Sequence, residues 1–138
     1  MQNRQKSIAI VATSFHEKHI KVMLGVARKT ADQKHIKIAK EIWVPGSLET
    51  PLALQTALKA NNIDGAVVLG IIERGKTKHG LVMGMAVLSA IIDIQLKLEK
   101  PIGVGILGPE ILPGQIKPRL APYAEDAVLA VWKMLNLK

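Results

Sequence analysis

Hydrophobic positions along this chain follow two alternating spacings. Residues Ser7–Thr13 form a short apolar run that is typical of a buried strand, and apolar residues recur at helical spacing across 17–34. This pattern of strand followed by helix then repeats three times. Further strands are predicted at 36–44, 65–72 and 101–107, and further helices at 47–61, 77–97 and 121–135. Four such repeats predict an α/β fold in which a four-stranded parallel sheet carries helices on both faces.

Proline and glycine mark the predicted breaks between these elements. Pro45-Gly46 ends the second strand, and Ser47 or Thr50 is a candidate N-cap for the helix that follows. Gly108-Pro109 and Pro113-Gly114 predict a loop before the last helix. We find no linker or internal repeat, and 138 residues are enough for one core and too few for two ordinary ones. We therefore expect a single domain over the whole sequence, residues 1–138.

The third predicted helix is apolar around its whole circumference between residues 81 and 94. A helix that packs on one face of a sheet needs only one apolar stripe, so the outer face of this helix needs a second cover. A single-sheet domain of this size has no further layer to provide it, and we therefore expect self-association. Single exposed apolar residues are common, but here many share one helix: Leu81, Val82, Met83, Met85, Val87, Leu88, Ile91, Ile92 and Ile94.

The amino-acid composition excludes several kinds of functional site. The chain has no cysteine, which excludes disulfides, thiolate metal sites and a cysteine nucleophile. Its four histidines show no metal-ligand motif, so no metal site is expected. The net charge of +8 is concentrated in residues 1–40, where nine Lys/Arg oppose two Asp/Glu. A basic region can attract nucleic acid or an anionic substrate, but the four aromatic residues and the lack of a recognition motif argue against nucleic acid.

The apolar runs do not suit a membrane. The run at 8–12 is too short for a signal-peptide core or a span, and 81–94 is interrupted by Gly84, Ser89 and Asp93. We therefore expect a cytoplasmic protein with no membrane partner.

A cationic turn follows the third predicted strand, with the sequence Arg74-Gly75-Lys76-Thr77-Lys78-His79. Backbone N–H groups of a glycine turn and of a helix start favour phosphate, and a histidine can exchange a proton near neutral pH. Taken alone, so short a motif favours a surface turn with solvated lysines. Its position after a buried strand favours a ligand site instead, because open α/β sheets bind ligands at the carboxyl ends of their strands.

Two more segments follow strands in the same way, Thr13-Ser14-Phe15-His16 and Val44-Pro45-Gly46-Ser47-Leu48-Glu49-Thr50-Pro51. Together with segment 69–79, in this order and spacing, they resemble the lumazine synthase family, and the resemblance covers nearly the whole chain. It implies a flavodoxin-like form of the three-layer α/β/α sandwich.

The resemblance also implies a reaction. The family condenses 5-amino-6-ribitylaminouracil with 3,4-dihydroxy-2-butanone 4-phosphate to give 6,7-dimethyl-8-ribityllumazine, releases phosphate and uses no cofactor. A Schiff base forms, phosphate is eliminated and the ring closes. The amine of the substrate is the nucleophile, so the protein needs positioning, an anion site and one proton shuttle.

Individual roles follow from the same resemblance. His79 matches the acid/base histidine of the family, Phe15 the aromatic that stacks on the pyrimidine ring, and Glu49 the carboxylate that binds the ribityl chain. Arg119 is the best match to an arginine that reaches the phosphate from a neighbouring subunit. A surface cation beside two prolines is an equally good interpretation, because the loop before Arg119 differs in length from that of the family. The other matched positions line the pyrimidine pocket or the phosphate-side turn: Ser47, Leu48, Ile71, Ile72, Gly75, Lys76, Thr77 and Val104.

Several positions depart from the pattern of the family. The family usually has an aromatic where Leu48 stands, often one where Val104 stands, and an aromatic followed by Asp where Gly80 and Leu81 stand. It commonly has a glycine-rich segment, associated with closure of an icosahedral shell, where this chain has residues 120–126. We therefore expect weaker or altered binding of the pyrimidine ring, and a homo-pentamer or a pair of pentamers.

Three alternatives stay open. One is a riboflavin-synthase-like enzyme on the same scaffold, which the intact Arg-Gly-x-Thr-x-His segment disfavours. Another is a diverged binder of flavin or lumazine without efficient turnover, which Leu48 and Leu81 favour among the alternatives. The last is a basic oligomer with no small-molecule site, and the joint presence of the matched residues argues against it.

Overall fold

A computed structural model describes residues 4–137 and consists of four successive β/α repeats. The strands are β1 (Ser7–Thr13), β2 (Lys37–Val44), β3 (Gly65–Glu73) and β4 (Ile102–Ile111). The helices are α1 (Glu17–Gln33), α2 (Thr50–Leu58), α3 (His79–Leu98) and α4 (Pro113–Leu135), and a 3₁₀ turn at Ser47–Glu49 precedes α2. The predicted α/β class is therefore confirmed.

The four strands form one sheet in the order β2-β1-β3-β4, and every pair is parallel. In the central pair, Ile8 lies opposite Gly65 and Ala12 lies opposite Leu69. Because the strands are parallel, their carboxyl ends meet at one edge of the sheet. The loops that follow β1, β2 and β3 all leave from that edge.

Alternate residues of each strand pack on opposite faces of the sheet, as the two-residue period of a strand requires. Ile8 and Ile10 of β1 belong to a core under α1 and α4, whereas Ala9 and Val11 belong to a core under α2 and α3. Strands buried on both faces are continuous apolar runs, which is the pattern of β1 and β3 in the sequence. The predicted three-layer α/β/α sandwich with a flavodoxin-like arrangement is confirmed.

The junction between β4 and α4 differs from the prediction. We expected a loop at 108–114 and a helix from residue 121, but β4 continues to Ile111 and α4 begins at Pro113. Pro113 is tolerated because the N–H groups of a first helical turn have no partner within the helix. Pro118 and Pro122 lie inside α4 and are exposed, while Ile116 and Leu120 are buried against the core. Burial of that apolar stripe outweighs the two backbone hydrogen bonds that the prolines remove.

The start of α2 also differs from the prediction. Ser47 lies in the 3₁₀ turn, and no side chain caps α2. Instead the hydroxyl of Thr50 donates a hydrogen bond to the carbonyl of Ser47 at 2.7 Å. The helix ends at Leu58, three residues before the predicted end at 61.

The outer face of α3 is apolar and exposed. The helix buries Gly84, Val87, Ile91 and Ile94, and it leaves four large apolar side chains in solvent: Val82, Met85, Ile92 and Leu96. By length and composition alone, α3 would be able to cross a membrane, but a helix packed on the sheet of an α/β domain passes the same test. The exposed face is the uncovered surface that the sequence pattern indicated.

Candidate active site

A cavity of about 600 Å³ opens at the carboxyl edge of the sheet. It lies among the loop after β1, the turn after β2, the end of β3 and the first turns of α3. The described residues that line it are Phe15, Pro45, Gly46, Ser47, Leu48, Glu49, Ile71, Ile72, Glu73, Arg74, Gly75, Thr77, His79, Gly80 and Met83. Most of this lining is apolar, with a few polar groups converging on it, which is the usual make-up of a small-molecule site.

The loop after β1 presents an aromatic ring to the cavity. The N–H of Ser14 donates to the carbonyl of Val44 at 2.8 Å, and the N–H of Phe15 donates to the carbonyl of Pro45 at 3.3 Å. These bonds hold the loop against the end of β2. The ring of Phe15 is 54% exposed, so its apolar surface is available to a ligand rather than used in the core.

The turn after β2 supplies a carboxylate and backbone groups. Ser47 is buried, whereas Leu48 and Glu49 are exposed at the cavity. The N–H of Glu49 donates to the carbonyl of Gly46 at 3.2 Å, which closes the 3₁₀ turn. Glu49 directly precedes the N-terminus of α2, where the helix dipole stabilises a negative charge.

The turn after β3 supplies the cationic side of the cavity. The N–H of Arg74 donates to the carbonyl of Ile111 at 2.8 Å, which ties the turn to the end of β4. His79 is the first residue of α3, and its backbone N–H donates to the hydroxyl of Thr77 at 3.3 Å. The imidazole of His79 is exposed. Free N–H groups at a helix start, a glycine at position 75 and nearby cations together suit an anion beside a proton-transfer group.

Nine of the twelve site residues predicted from the sequence line this cavity. Lys76 belongs to the same turn, but its exposed side chain is not part of the described lining. Val104 lies on β4 and lines a different, smaller cavity of about 200 Å³, together with residues of α4 such as Tyr123 and Asp126. Arg119 is exposed on α4 and donates a hydrogen bond to the carbonyl of Gln115 at 3.0 Å.

The sequence prediction missed six lining residues, and four of them lie within the motifs that drew attention to the site: Pro45, Gly46, Glu73 and Arg74. The other two are Gly80 and Met83 on the first turns of α3. Met83 stands four residues after His79, and residues at that spacing share one face of a helix. That spacing is the signal by which Met83 could have been predicted.

The described residues do not form a metal site. Within residues 4–137, no group of three or more His, Cys, Asp or Glu side chains lies close enough to hold a metal ion.

Comparison with known proteins identifies the family. The family model described as 6,7-dimethyl-8-ribityllumazine synthase matches residues 5–138. The chain belongs to this family. The predicted family is therefore confirmed, and with it the prediction of an enzyme, because lumazine synthases form a family of transferases.

Relatives named 6,7-dimethyl-8-ribityllumazine synthase share about a third of their residues with this chain. The protein of Staphylothermus marinus is 36% identical over 94% of this chain and 86% of its own length. The protein of Methanococcus vannielii is 32% identical over 94% of this chain and 92% of its own length. The protein of Picrophilus torridus is 34% identical over 94% of this chain and 95% of its own length.

A solved structure supports the fold independently. The chain is similar to a split-gene transketolase, described as an inactive beta4 tetramer, with a TM-score of 0.55 and 18% identity. The similarity covers 98% of this chain and 41% of that one. At this identity the likeness concerns the fold alone.

Proposed function

We propose that this chain is a lumazine synthase, formed as one domain over residues 1–138. It condenses 5-amino-6-ribitylaminouracil with 3,4-dihydroxy-2-butanone 4-phosphate and releases 6,7-dimethyl-8-ribityllumazine and phosphate, as a step of riboflavin biosynthesis. The observation that carries the proposal is the cavity that brings Phe15, Glu49 and His79 together at one edge of the sheet. Family membership supports the same activity.

The apolar side of the cavity receives the pyrimidine. The exposed ring of Phe15 stacks on the heterocycle, and Ile71 and Ile72 at the end of β3 form the surface beneath it. Glu49 accepts hydrogen bonds from hydroxyls of the ribityl chain. Backbone groups of the turn around Ser47 and Leu48 complete the pocket for the polar edge of the ring.

The cationic side of the cavity receives the butanone phosphate. Gly75 and Thr77 border the phosphate, and Lys76 adds positive charge from the same turn. The amine of the pyrimidine attacks the carbonyl of the butanone, so the chain supplies no nucleophile. His79, whose imidazole is exposed at the cavity, exchanges the protons that Schiff-base formation, phosphate elimination and ring closure require.

The complete site needs a second copy of the chain. Val104 and Arg119 lie outside the cavity, and in this proposal they reach the cavity of a neighbouring subunit, where Arg119 binds the phosphate. The exposed apolar face of α3 supports a subunit contact that removes it from water. The assembly is a homo-pentamer or a pair of pentamers, and the protein acts in the cytoplasm on these small molecules without a cofactor.

A lumazine-formation assay tests this function. Purified protein is mixed with both substrates, and lumazine absorbance is followed above the uncatalysed rate. Replacing His79 by alanine should reduce kcat by roughly a hundred-fold to ten-thousand-fold, the usual contribution of a general acid or base. The fold should be retained, because the side chain is exposed. His35→Asn is the matched control, because His35 is exposed, lies outside the cavity lining and has a left-handed backbone that Asn tolerates.

The assay also separates the alternatives. Turnover by the wild type that is lost only in His79→Ala supports the synthase. Absence of turnover in a folded wild type that still binds lumazine would favour the diverged binder, which Leu48 at the cavity already suggests as the second candidate. Conversion of lumazine alone into riboflavin would favour the riboflavin-synthase-like enzyme.

A further inference from the structure

An unusual backbone places His16 at the end of the loop after β1. Its φ of 60° and ψ of 43° are left-handed, a conformation that Asn, Asp and His adopt more readily than other side chains. The imidazole Nε2 is buried and has no hydrogen bond of regular geometry among the described residues. It lies in contact with Oε1 of Glu73, the last residue of β3. The imidazole therefore bridges the carboxyl ends of β1 and β3.

The ring of His16 also supports the ring of Phe15. The two centroids are 4.4 Å apart and the planes meet at 69°, an edge-to-face contact that aromatic pairs favour. The backbone N–H of Phe15 is bonded to the carbonyl of Pro45, but its side chain is 54% exposed. The contact with His16 therefore restrains the direction in which the Phe15 ring points.

The carboxylate of Glu73 contacts His16, while the adjacent cation Arg74 pairs with a different carboxylate. Arg74 lies 3.4 Å from the carboxylate of Glu110, and its backbone N–H is bonded to Ile111. His19 also lies beside the pair, with its ring centroid 5.7 Å from that of His16. Glu73 itself lines the cavity, so the pair stands directly behind the ligand site.

We propose that His16 and Glu73 are a positioning pair that fixes the Phe15 ring over the cavity for a ligand with a flat heterocycle. The inference rests on the proposed function, in which Phe15 stacks on the pyrimidine. A ring already held in the binding orientation loses less conformational freedom when the ligand arrives. The pair therefore tightens binding of the heterocyclic substrate and has no part in binding the phosphate or in proton transfer.

This role predicts a selective effect. Glu73→Leu keeps the bulk of the side chain and removes the partner of His16. It should raise the KM for the ribitylaminouracil and the Kd for 6,7-dimethyl-8-ribityllumazine by about three-fold to ten-fold, the range expected when one side chain must be ordered on binding. The KM for the butanone phosphate and kcat should stay within about two-fold of the wild type, because the turn at 75–77 and His79 are untouched.

Two further variants test the chemistry of the pair. Glu73→Gln keeps an oxygen that can accept from Nε2–H of His16, so it should restore most of the affinity that Glu73→Leu loses. His16→Asn tolerates the left-handed backbone but lacks the ring that supports Phe15, so it should behave like Glu73→Leu. The control is Glu41→Leu on β2, which breaks the ion pair with Arg28 of α1. Both residues lie outside the cavity lining, so this variant should leave every KM unchanged.

A double-substitution cycle identifies the residue through which the pair acts. Fluorescence titration with 6,7-dimethyl-8-ribityllumazine gives Kd for the wild type, Phe15→Ala, Glu73→Leu and the double variant. If the pair acts through Phe15, Glu73→Leu has no further effect once the ring is gone. An effect of the same size in both backgrounds would mean that Glu73 contacts the ligand itself, and would overturn the proposal.

The remaining outcomes separate this inference from the proposed function. Wild-type turnover with unchanged binding in Glu73→Leu, or with equal loss for both substrates, would overturn the positioning role alone. A folded wild type that neither turns over nor binds the lumazine would overturn the proposed function, and this inference with it.

Discussion

Mixed oligomers provide a quantitative test of where Arg119 acts. Arg119 is exposed on α4, bonded to the carbonyl of Gln115, and absent from the described lining of the cavity that contains His79. In our proposal each complete site combines His79 of one chain with Arg119 of its neighbour. A chain carrying His79→Ala and a chain carrying Arg119→Ala therefore each lack a different half of the site.

The expected recovery follows from counting interfaces in a closed ring. Each interface of a ring is heterologous and pairs one chain's cavity with the next chain's α4. With random mixing at equal amounts, an Arg119→Ala chain supplies the cavity in half of the interfaces, and a His79→Ala chain follows it in half of those. About one quarter of the sites should be intact, whatever the number of subunits in the ring.

Co-expression of the two variants with different tags provides the assay. Native mass spectrometry measures the mixing, and initial rates of lumazine formation are compared with those of each variant alone and of the wild type. Co-expression of His79→Ala with Glu49→Ala is the matched control, because both residues line the cavity of the same chain. No site in that mixture is intact, so no recovery is expected.

Two outcomes would exclude the proposed role of Arg119. If well-mixed oligomers of His79→Ala and Arg119→Ala show no recovery above the variants alone, Arg119 does not complete a neighbour's site. If Arg119→Ala alone has the KM and kcat of the wild type, Arg119 has no role in the reaction.

Two further predictions concern stability. A Cβ at Gly103 would lie 2.0 Å from the carbonyl oxygen of Ala127, so Gly103→Ala should push α4 off β4 and lower the free energy of unfolding in denaturant by about 3 kcal/mol or more. Gly25 has open space around it, so Gly25→Ala should raise that free energy by about 0.5–1 kcal/mol. Equal effects of the two substitutions would contradict this packing. The hydrogen-bonded guanidinium of Arg28 lowers the pKa of Glu41 below its ordinary 4.5 against the opposing effect of burial, so Glu41→Gln should cost up to about 1 kcal/mol at pH 7. Because the folded pKa is the lower one, that cost should decline as the pH falls below 4.5 and disappear once the carboxyl is protonated in the folded state as well. A cost that stays the same throughout the acid range in which the chain remains folded would show that the charge is not its source.

The bounds of the strands that are buried on both faces of the sheet were predicted well from the sequence. β1 was predicted with its observed bounds and β3 to within one residue, because a strand covered on both faces is a continuous apolar run between polar ends. The start of α4 was missed because Gly108-Pro109 and Pro113-Gly114 were taken as a loop. The buried stripe that begins at Ile116 and Leu120 and continues through Ala124 was the contrary signal, since residues four apart share one helical face.

The residues of the candidate site that lie in one chain could be predicted from the sequence. Motifs that follow different strands converge because parallel strands end at one edge, and this brought Phe15, Glu49 and His79 to a single cavity. Val104 and Arg119 came from the family resemblance, and their places in a single chain lie elsewhere. A contact between two subunits produces no periodicity or spacing in the sequence. The sequence therefore does not indicate which subunit contributes a given residue to a site.

Gly80 stands where the lumazine synthase family usually has an aromatic residue, and the packing of this chain gives a physical reason for the glycine. A Cβ at that position would lie 2.8 Å from the carbonyl oxygen of Glu73, because the first turn of α3 lies directly against the end of β3. A larger residue therefore cannot follow His79 without moving the helix start that presents it. Among residues 4–137, the side-chain hydrogen bond found at His79 is made by its backbone N–H to the hydroxyl of Thr77 and does not involve its imidazole. If His79 is the proton shuttle that we propose, the groups that orient its imidazole are those of the bound substrates or of a neighbouring subunit. Productive orientation is then acquired on binding or assembly and does not exist in the isolated chain.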